Sequence, residues 1–141
     1  MSVRSGVLAE FHTLVAADPG HPALELIDGD GRHLAYNRGE LQEQVQDSAH
    51  QLYHQGFRSG EIVPIKLPHG IVLLRALLGC LELGAIPCLL PWLFAHAGSP
   101  GDIHKLDLQL DSLESNKLIT TPGIKTSWEA SPRRWQGRVI E

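Results

Sequence analysis

The run GIVLLRALLGCLELGAIPCLLPW, residues 70–92, constrains this chain more than any other stretch. Its first half carries apolar side chains on almost every face of a helix, which leaves two homes, the inside of a layered domain or a bilayer. A bilayer requires about 18–20 consecutive apolar residues with few charges. Arg75 and Glu82 interrupt the run, and Gly84 and Pro87 break its helical geometry. It is therefore read as two elements. A helix from Ile71 to Leu83, buried between layers with Leu78 in its core, ends at Gly84. The strand AIPCLL follows, a continuous apolar run of the kind found in a sheet covered on both faces. Pro87 has no N–H to donate, so its strand belongs at a sheet edge or carries a bulge.

The flanking text alternates in the same way. VLAEFHTLVAA spaces Leu8, Phe11, Leu14 and Val15 as one helical face, and DPGHP stops it. ALELI and HLAY flank DGDGR, and Asp-Gly pairs readily take the positive φ of a hairpin turn. A calcium loop starting at Asp28 and Asp30 is set aside, because its later Gly and Glu positions are held by His33 and Gly39. Asn37 and Glu40 form a capping box ahead of a helix whose face carries Leu41, Val45, Ala49 and Leu52, with Gly56 at its stop. His50 and His54 stand four apart on that helix, where two imidazoles suit a metal, but no third ligand accompanies them and a solvated face is expected. The strand EIVPIKL, the amphipathic helix DIHKLDLQLDSLES and the strand KLITT complete the order. Alternating strands and helices after a hairpin predict an α/β fold: a mostly parallel sheet with helices on both faces, preceded by a β-hairpin.

Composition narrows the function classes. With 141 residues, 43% hydrophobic and 20% charged, the chain fits one globular domain that buries roughly 70% of its unfolded surface. A formal net charge of -4 offers no basic field, so neither nucleic acid nor an anionic membrane is expected as a partner. Cys80 and Cys88 lack metal or redox spacing and read as reduced, buried thiols. With no secretory pattern in MSVRSGVLAEFH, a cytoplasmic location is expected. Arg133, Arg134, Trp135 and Arg138 make a basic, aromatic cluster of a type that stacks on bases or grips phosphate. In a net acidic chain it is read instead as part of a connecting segment.

Four segments then take on meaning together: HPALELIDGDGRHLAYNRGEL, GFRSGEIVPIKLPHG, LLGCLELGAIPCLLP and LDLQLDSLESNKLITT. In this order and spacing they resemble the N-terminal end of the adenylate-forming (AMP-binding) ligases. That family includes acyl-CoA synthetases, fatty acyl-AMP ligases and the adenylation domains of nonribosomal peptide synthetases. The likeness covers about residues 8 to 123. Ala35 stands where the family has Ser or Thr, one extra residue separates Tyr36 from Glu40, Glu61 replaces Asp, and His69 replaces Asn.

The resemblance implies that residues 1–123 are an N-terminal subdomain of such a ligase and 124–141 a connecting tail. For the parent protein it implies ATP and magnesium, acyl- or aminoacyl-adenylate formation, and usually transfer of the acyl group to a pantetheine thiol. The family's phosphate loop is rich in Ser, Thr and Gly and ends in Pro-Lys-Gly, supplying N–H groups and a Lys to the ATP phosphates. TTPGIK, at 120–125, is too short and lacks the repeated glycines. No catalytic, cofactor-binding or metal residue is therefore expected within this chain, which should be inactive alone. Expected partners are the remainder of the parent ligase, a second copy of the chain, and an acyl carrier protein. Self-association would cover the helix Ile71–Leu83 with Trp92, Leu93 and Phe94, unless the tail folds back and covers them with Trp128 and Trp135. The apolar segment WLFAHAGSPGD departs from common family text and leans towards fatty acyl or polyketide-type starter activation. The alternative function is a free-standing, non-catalytic interaction module that binds a protein partner or carrier.

Overall fold

Three helices begin at side chains that satisfy their first free N–H groups. The computed structural model describes residues 6–93, 96–130 and the backbone of Arg138–Ile140. Within it, Asn37 Oδ1 accepts from Glu40 N at 2.8 Å while Glu40 Oε2 accepts from Asn37 N at 2.9 Å, the expected capping box. Ser99 and Thr121 cap two later helices, each followed by a proline whose missing N–H costs nothing at that position. The elements run α1 (Val7–Ala17), β1 (Pro22–Ile27), β2 (His33–Asn37), α2 (Arg38–His54), β3 (Ile62–Lys66), α3 (Ile71–Leu83), β4 (Ile86–Leu89), α4 (Pro100–Ser112), β5 (Lys117–Thr120), α5 (Pro122–Glu129) and β6 (Arg138–Ile140).

β1 and β2 pair antiparallel, closed by a turn in which Asp28 Oδ1 accepts from the backbone N–H groups of Asp30 and Arg32. The remaining strands form a sheet of order β4-β3-β5-β6 in which neighbouring strands pair parallel. This is the expected α/β architecture. Pro87 lies in β4, at the sheet edge, where a missing donor is tolerated. Pro64 sits in the interior strand β3, opposite Cys88 of β4, and the ladder from β3 to β5 starts one residue later, at Ile65.

Alternation along the strands feeds a core on each face. Val63, Ile65 and Ile119 pack with Leu52, Phe57, Ala76 and Cys80 under α2 and α3. Leu118 joins Ile103, Leu106, Leu110, Ile124 and Trp128 under α4 and α5. The expected boundary between residues 123 and 124 falls inside α5, whose Ile124 and Trp128 are part of this second core. Trp128 therefore cannot cover α3, which lies on the opposite face. Trp92 likewise packs against the α4 core rather than extending the α3 surface. Phe94 and Trp135 lie outside the described residues.

α3 is not enclosed on all sides as its composition suggested. Ala76, Gly79 and Cys80 are buried, Leu78 is half-buried, and Val72 is 57% exposed. In β4, Ile86 and Leu89 are 54% and 52% exposed, so this strand is not covered on both faces either. The buried side of α3 meets α2 where a Cβ on Gly79 would run into the side chain of Ser48 and come within 3.2 Å of Ala49 N. Gly84 ends the helix with φ 82°, and Ala85 N returns to Cys80 O at 2.9 Å. A Cβ there would also lie 2.6 Å from Ser59 Oγ. Gly84→Ala is expected to lower stability by about 1–2 kcal/mol from the left-handed backbone alone. Urea denaturation reads this directly, and a loss below about 0.5 kcal/mol would contradict it.

Candidate functional site

Val63 and Ile65 of β3 face the core under α2 and α3, and Lys66 turns the other way, which places an ammonium inside the protein. Lys66, the last residue of the strand, is 2% exposed. Its Nζ donates to Asp102 Oδ1 at 3.0 Å and to Pro91 O at 2.8 Å. Asp102, in the first turn of α4, uses its other oxygen to accept from Gly98 N at 2.9 Å. Thr120 Oγ1 donates to Lys66 O at 2.8 Å. One buried ion pair thus ties together the carboxyl ends of β3 and β5, the exit of β4 and the turn that starts α4. These carboxyl ends are where open α/β sheets place ligands. With Lys66 and Asp102 engaged in this way, the pair positions the site rather than offering a free nucleophile or base.

Sequence reasoning missed this pair. Lys66 stands in an apolar strand, and its partner Asp102 lies 36 residues away in the first turn of α4. A charge inside an otherwise apolar strand was the available signal, because such a charge must find a partner.

The amino ends of β3 and β5 carry a second tie. Glu61 Oε2 accepts from Arg58 N at 2.7 Å, and Lys117 Nζ donates to Glu61 Oε1 at 2.9 Å. Burial alone would push the Glu61 carboxyl up. The hydrogen bonds from Lys117 and Arg58, with their charges, outweigh it and hold the group below the ordinary carboxylate range. The family-like G-E-x-V segment is thus a structural fastening here.

Neither threonine of TTPGIK is free to cradle phosphate. Thr120 is committed to Lys66 O, and Thr121 Oγ1 accepts from Ile124 N at the start of α5. These two hydroxyls, among the described residues, therefore do not fit an ATP phosphate site. His50 and His54 are both exposed on α2, and among the described residues no group of three or more His, Cys, Asp or Glu is placed to hold a metal. Arg133, Arg134 and Trp135 lie outside the described residues, and Arg138 is described by its backbone in β6.

Cys80 and Cys88 differ in environment. Burial pushes the Cys80 thiol up to about 12, whereas Cys88 is half-buried in β4. Native protein is expected to alkylate at Cys88 well before Cys80, read by mass spectrometry of iodoacetamide-treated peptides. A raised thiol pKa also fixes the sign of a pH effect. Above the unfolded value of 9.0 the unfolded thiol ionises while the folded one stays protonated to about 12, so stability falls as pH rises across that window. Equal labelling of both thiols would contradict this environment.

No family profile matches the chain. Enterobactin synthase component F of Escherichia coli K12 is 34% identical over 106 residues, 75% of this chain and 7% of that protein. McyG A-PCP complexed with phenylalanyl-adenylate superposes with a TM-score of 0.81 at 16% identity, over 99% of this chain and 22% of that one. The fatty acyl-adenylate ligase of L. pneumophila, with acyl adenylate and pyrophosphate, gives 0.75 at 14% identity, over 94% and 22%. O-succinylbenzoate coenzyme A synthetase of Bacillus subtilis, with AMP, gives 0.72 at 21% identity, over 93% and 30%.

The chain has the fold of an adenylate-forming ligase fragment. In that fold the four recognised segments fall on the hairpin with the start of α2, on β3, on α3 with β4, and on α4 with β5. The fragment spans less than a third of each of these ligase chains. No described helix is long and apolar enough to cross a membrane.

Proposed function

We propose that this chain is the N-terminal scaffold subdomain of an ATP-dependent ligase that activates a carboxylate as its acyl-adenylate. The observation that carries this reading is the coincidence of family-like segments, in order, with the matching fold elements. In the parent, ATP and magnesium bind to segments beyond those present here, and the acyl group usually passes to a pantetheine thiol. What the chain's own residues supply is placement. The Lys66–Asp102 pair fixes the carboxyl ends of the central strands, and the Glu61–Lys117 pair fixes their amino ends.

The exposed apolar side chains of α3 and β4, Val72, Ile86 and Leu89, are proposed as surface that the remainder of the ligase covers. Fatty acyl or polyketide-type starter activation and a cytoplasmic location belong to the same proposal. They are supported by the apolar segment after Pro91 and by the reduced thiols. Reading the genomic frame downstream of Glu141 tests the assignment cheaply. A glycine-rich Pro-Lys-Gly loop in frame is the expected result. A stop codon at that point would favour the non-catalytic interaction module instead.

A further inference from the structure

We infer that the outer edge of β2 is a self-association surface, on which a second copy of this chain pairs its own β2 antiparallel about Leu34. The hairpin stands apart from the main sheet as a sheet of two strands. An isolated pair of strands is marginal in water, and added strands that continue an apolar face stabilise it.

The register shows which backbone groups are free. Asp28 N donates to Arg32 O at 2.9 Å and closes the loop. By alternation, the opposed pairs Leu26–Leu34 and Leu24–Tyr36 then exchange the hydrogen bonds inside the hairpin. The N–H and C=O groups of Glu25 and Ile27 point out from β1, and those of His33 and Ala35 point out from β2. Among the described residues no loop, cap or side chain accepts from His33 N or Ala35 N.

The two edges are not equivalent. β1 starts at Pro22, its register shifts between Pro22 and Leu24, and Glu25 sits on its outward side. Prolines, bulges and charged side chains are how natural sheets keep an edge unpaired. β2 has no proline, bulge or carboxylate from His33 to Ala35, and all three residues are exposed, Leu34 by 41%.

A twofold axis at Leu34 sets His33 of one copy opposite Ala35 of the other. The outward groups of these residues then satisfy one another in both directions. On the apolar face Leu26 and Leu34 of one copy meet Leu34 and Leu26 of the other, a row of four leucines across four strands. On the opposite face the small Ala35 leaves room for His33, whose Nδ1 stays bonded to Glu25 Oε1 of its own hairpin at 2.7 Å. The same operation on β1 would press Glu25 against Ile27 and strip water from its carboxylate. The pairing is short, well under the roughly 1,200 Å² of a stable interface, so the dimer is expected to be weak.

The inference does not rest on the adenylation reading, because pairing needs only the hairpin. The test is sedimentation velocity with NMR amide exchange on the 141-residue chain across a concentration series. The mass is expected to rise from 15.5 kDa towards twice that value. As it rises, the amides of His33 and Ala35 should exchange more slowly while those of Glu25 and Ile27 stay unchanged. Leu34→Lys sets like charges opposite each other at the axis and should weaken the dimer at least about fivefold. Ala35→Pro removes an outward donor without breaking a bond inside the hairpin, and should weaken it as well.

A mass of 15.5 kDa at every concentration would overturn the inference. So would a dimer that protects Glu25 and Ile27 instead, or one unaffected by both substitutions, since either would place the contact elsewhere.

Discussion

Asp102→Ala is expected to lower the stability of this chain by about 3–5 kcal/mol, the cost of leaving a buried charge without its partner. The geometry explains the size. Lys66 is 2% exposed and Asp102 6%, so water cannot replace the lost carboxylate. Removing Asp102 also strands Gly98 N, which donates to its second oxygen. The opposite experiment is as informative. A Lys66→Met, Asp102→Leu double variant removes both charges together and should lie much nearer the parent stability, since apolar replacement of a buried pair is often neutral. Urea denaturation of the three proteins decides the matter. A single-variant loss below about 1 kcal/mol would show the pair to be solvated.

Trp128→Ala should have an effect of similar size, about 3–5 kcal/mol, through loss of a large aromatic side chain from the second core. Trp128 is 1% exposed and packs with Ile103, Leu106, Leu110, Leu118 and Ile124. Its Nε1 donates to Asp107 Oδ1 at 2.9 Å, and Asp107 is itself buried. Trp128→Phe separates the two contributions, keeping most of the packing and losing the donor, at about 1–3 kcal/mol. The same comparison bears on where the structural unit ends. A connecting tail would tolerate Trp128→Ala with a change under about 0.5 kcal/mol. The core position requires the larger loss.

Periodicity and turn chemistry made most of the fold legible. The Asn37–Glu40 box, Asp28 in the hairpin turn and Gly84 at the end of α3 are short-range signals, and each acts within a few residues. Pro87 on an edge strand is equally local, because the missing donor belongs to the residue itself. Contacts set by folding at a distance were not legible. The composition of α3 suggested burial all round, yet apolar composition says only that a face can be covered, not which neighbour covers it. The half-buried Leu78 and exposed Val72 follow from that gap. The pairing of Lys66 with Asp102 depends on which face of a strand and of a helix points inward at one end of the sheet. α5 was missed because a short stretch with two residues facing the core carries little periodicity, although Thr121-Pro122 is a good helix start.

The proposed role, a frame for an adenylating ligase whose ATP site lies in other segments, has a direct test. That test is carboxylate-dependent exchange of pyrophosphate into ATP, with a panel of fatty acids and amino acids. The assay would compare the pure 141-residue chain with the full polypeptide encoded by its reading frame. The expected result is no exchange from the chain by itself and exchange from the full polypeptide with at least one acid of the panel. Carboxylate-dependent exchange catalysed by the pure chain would contradict it.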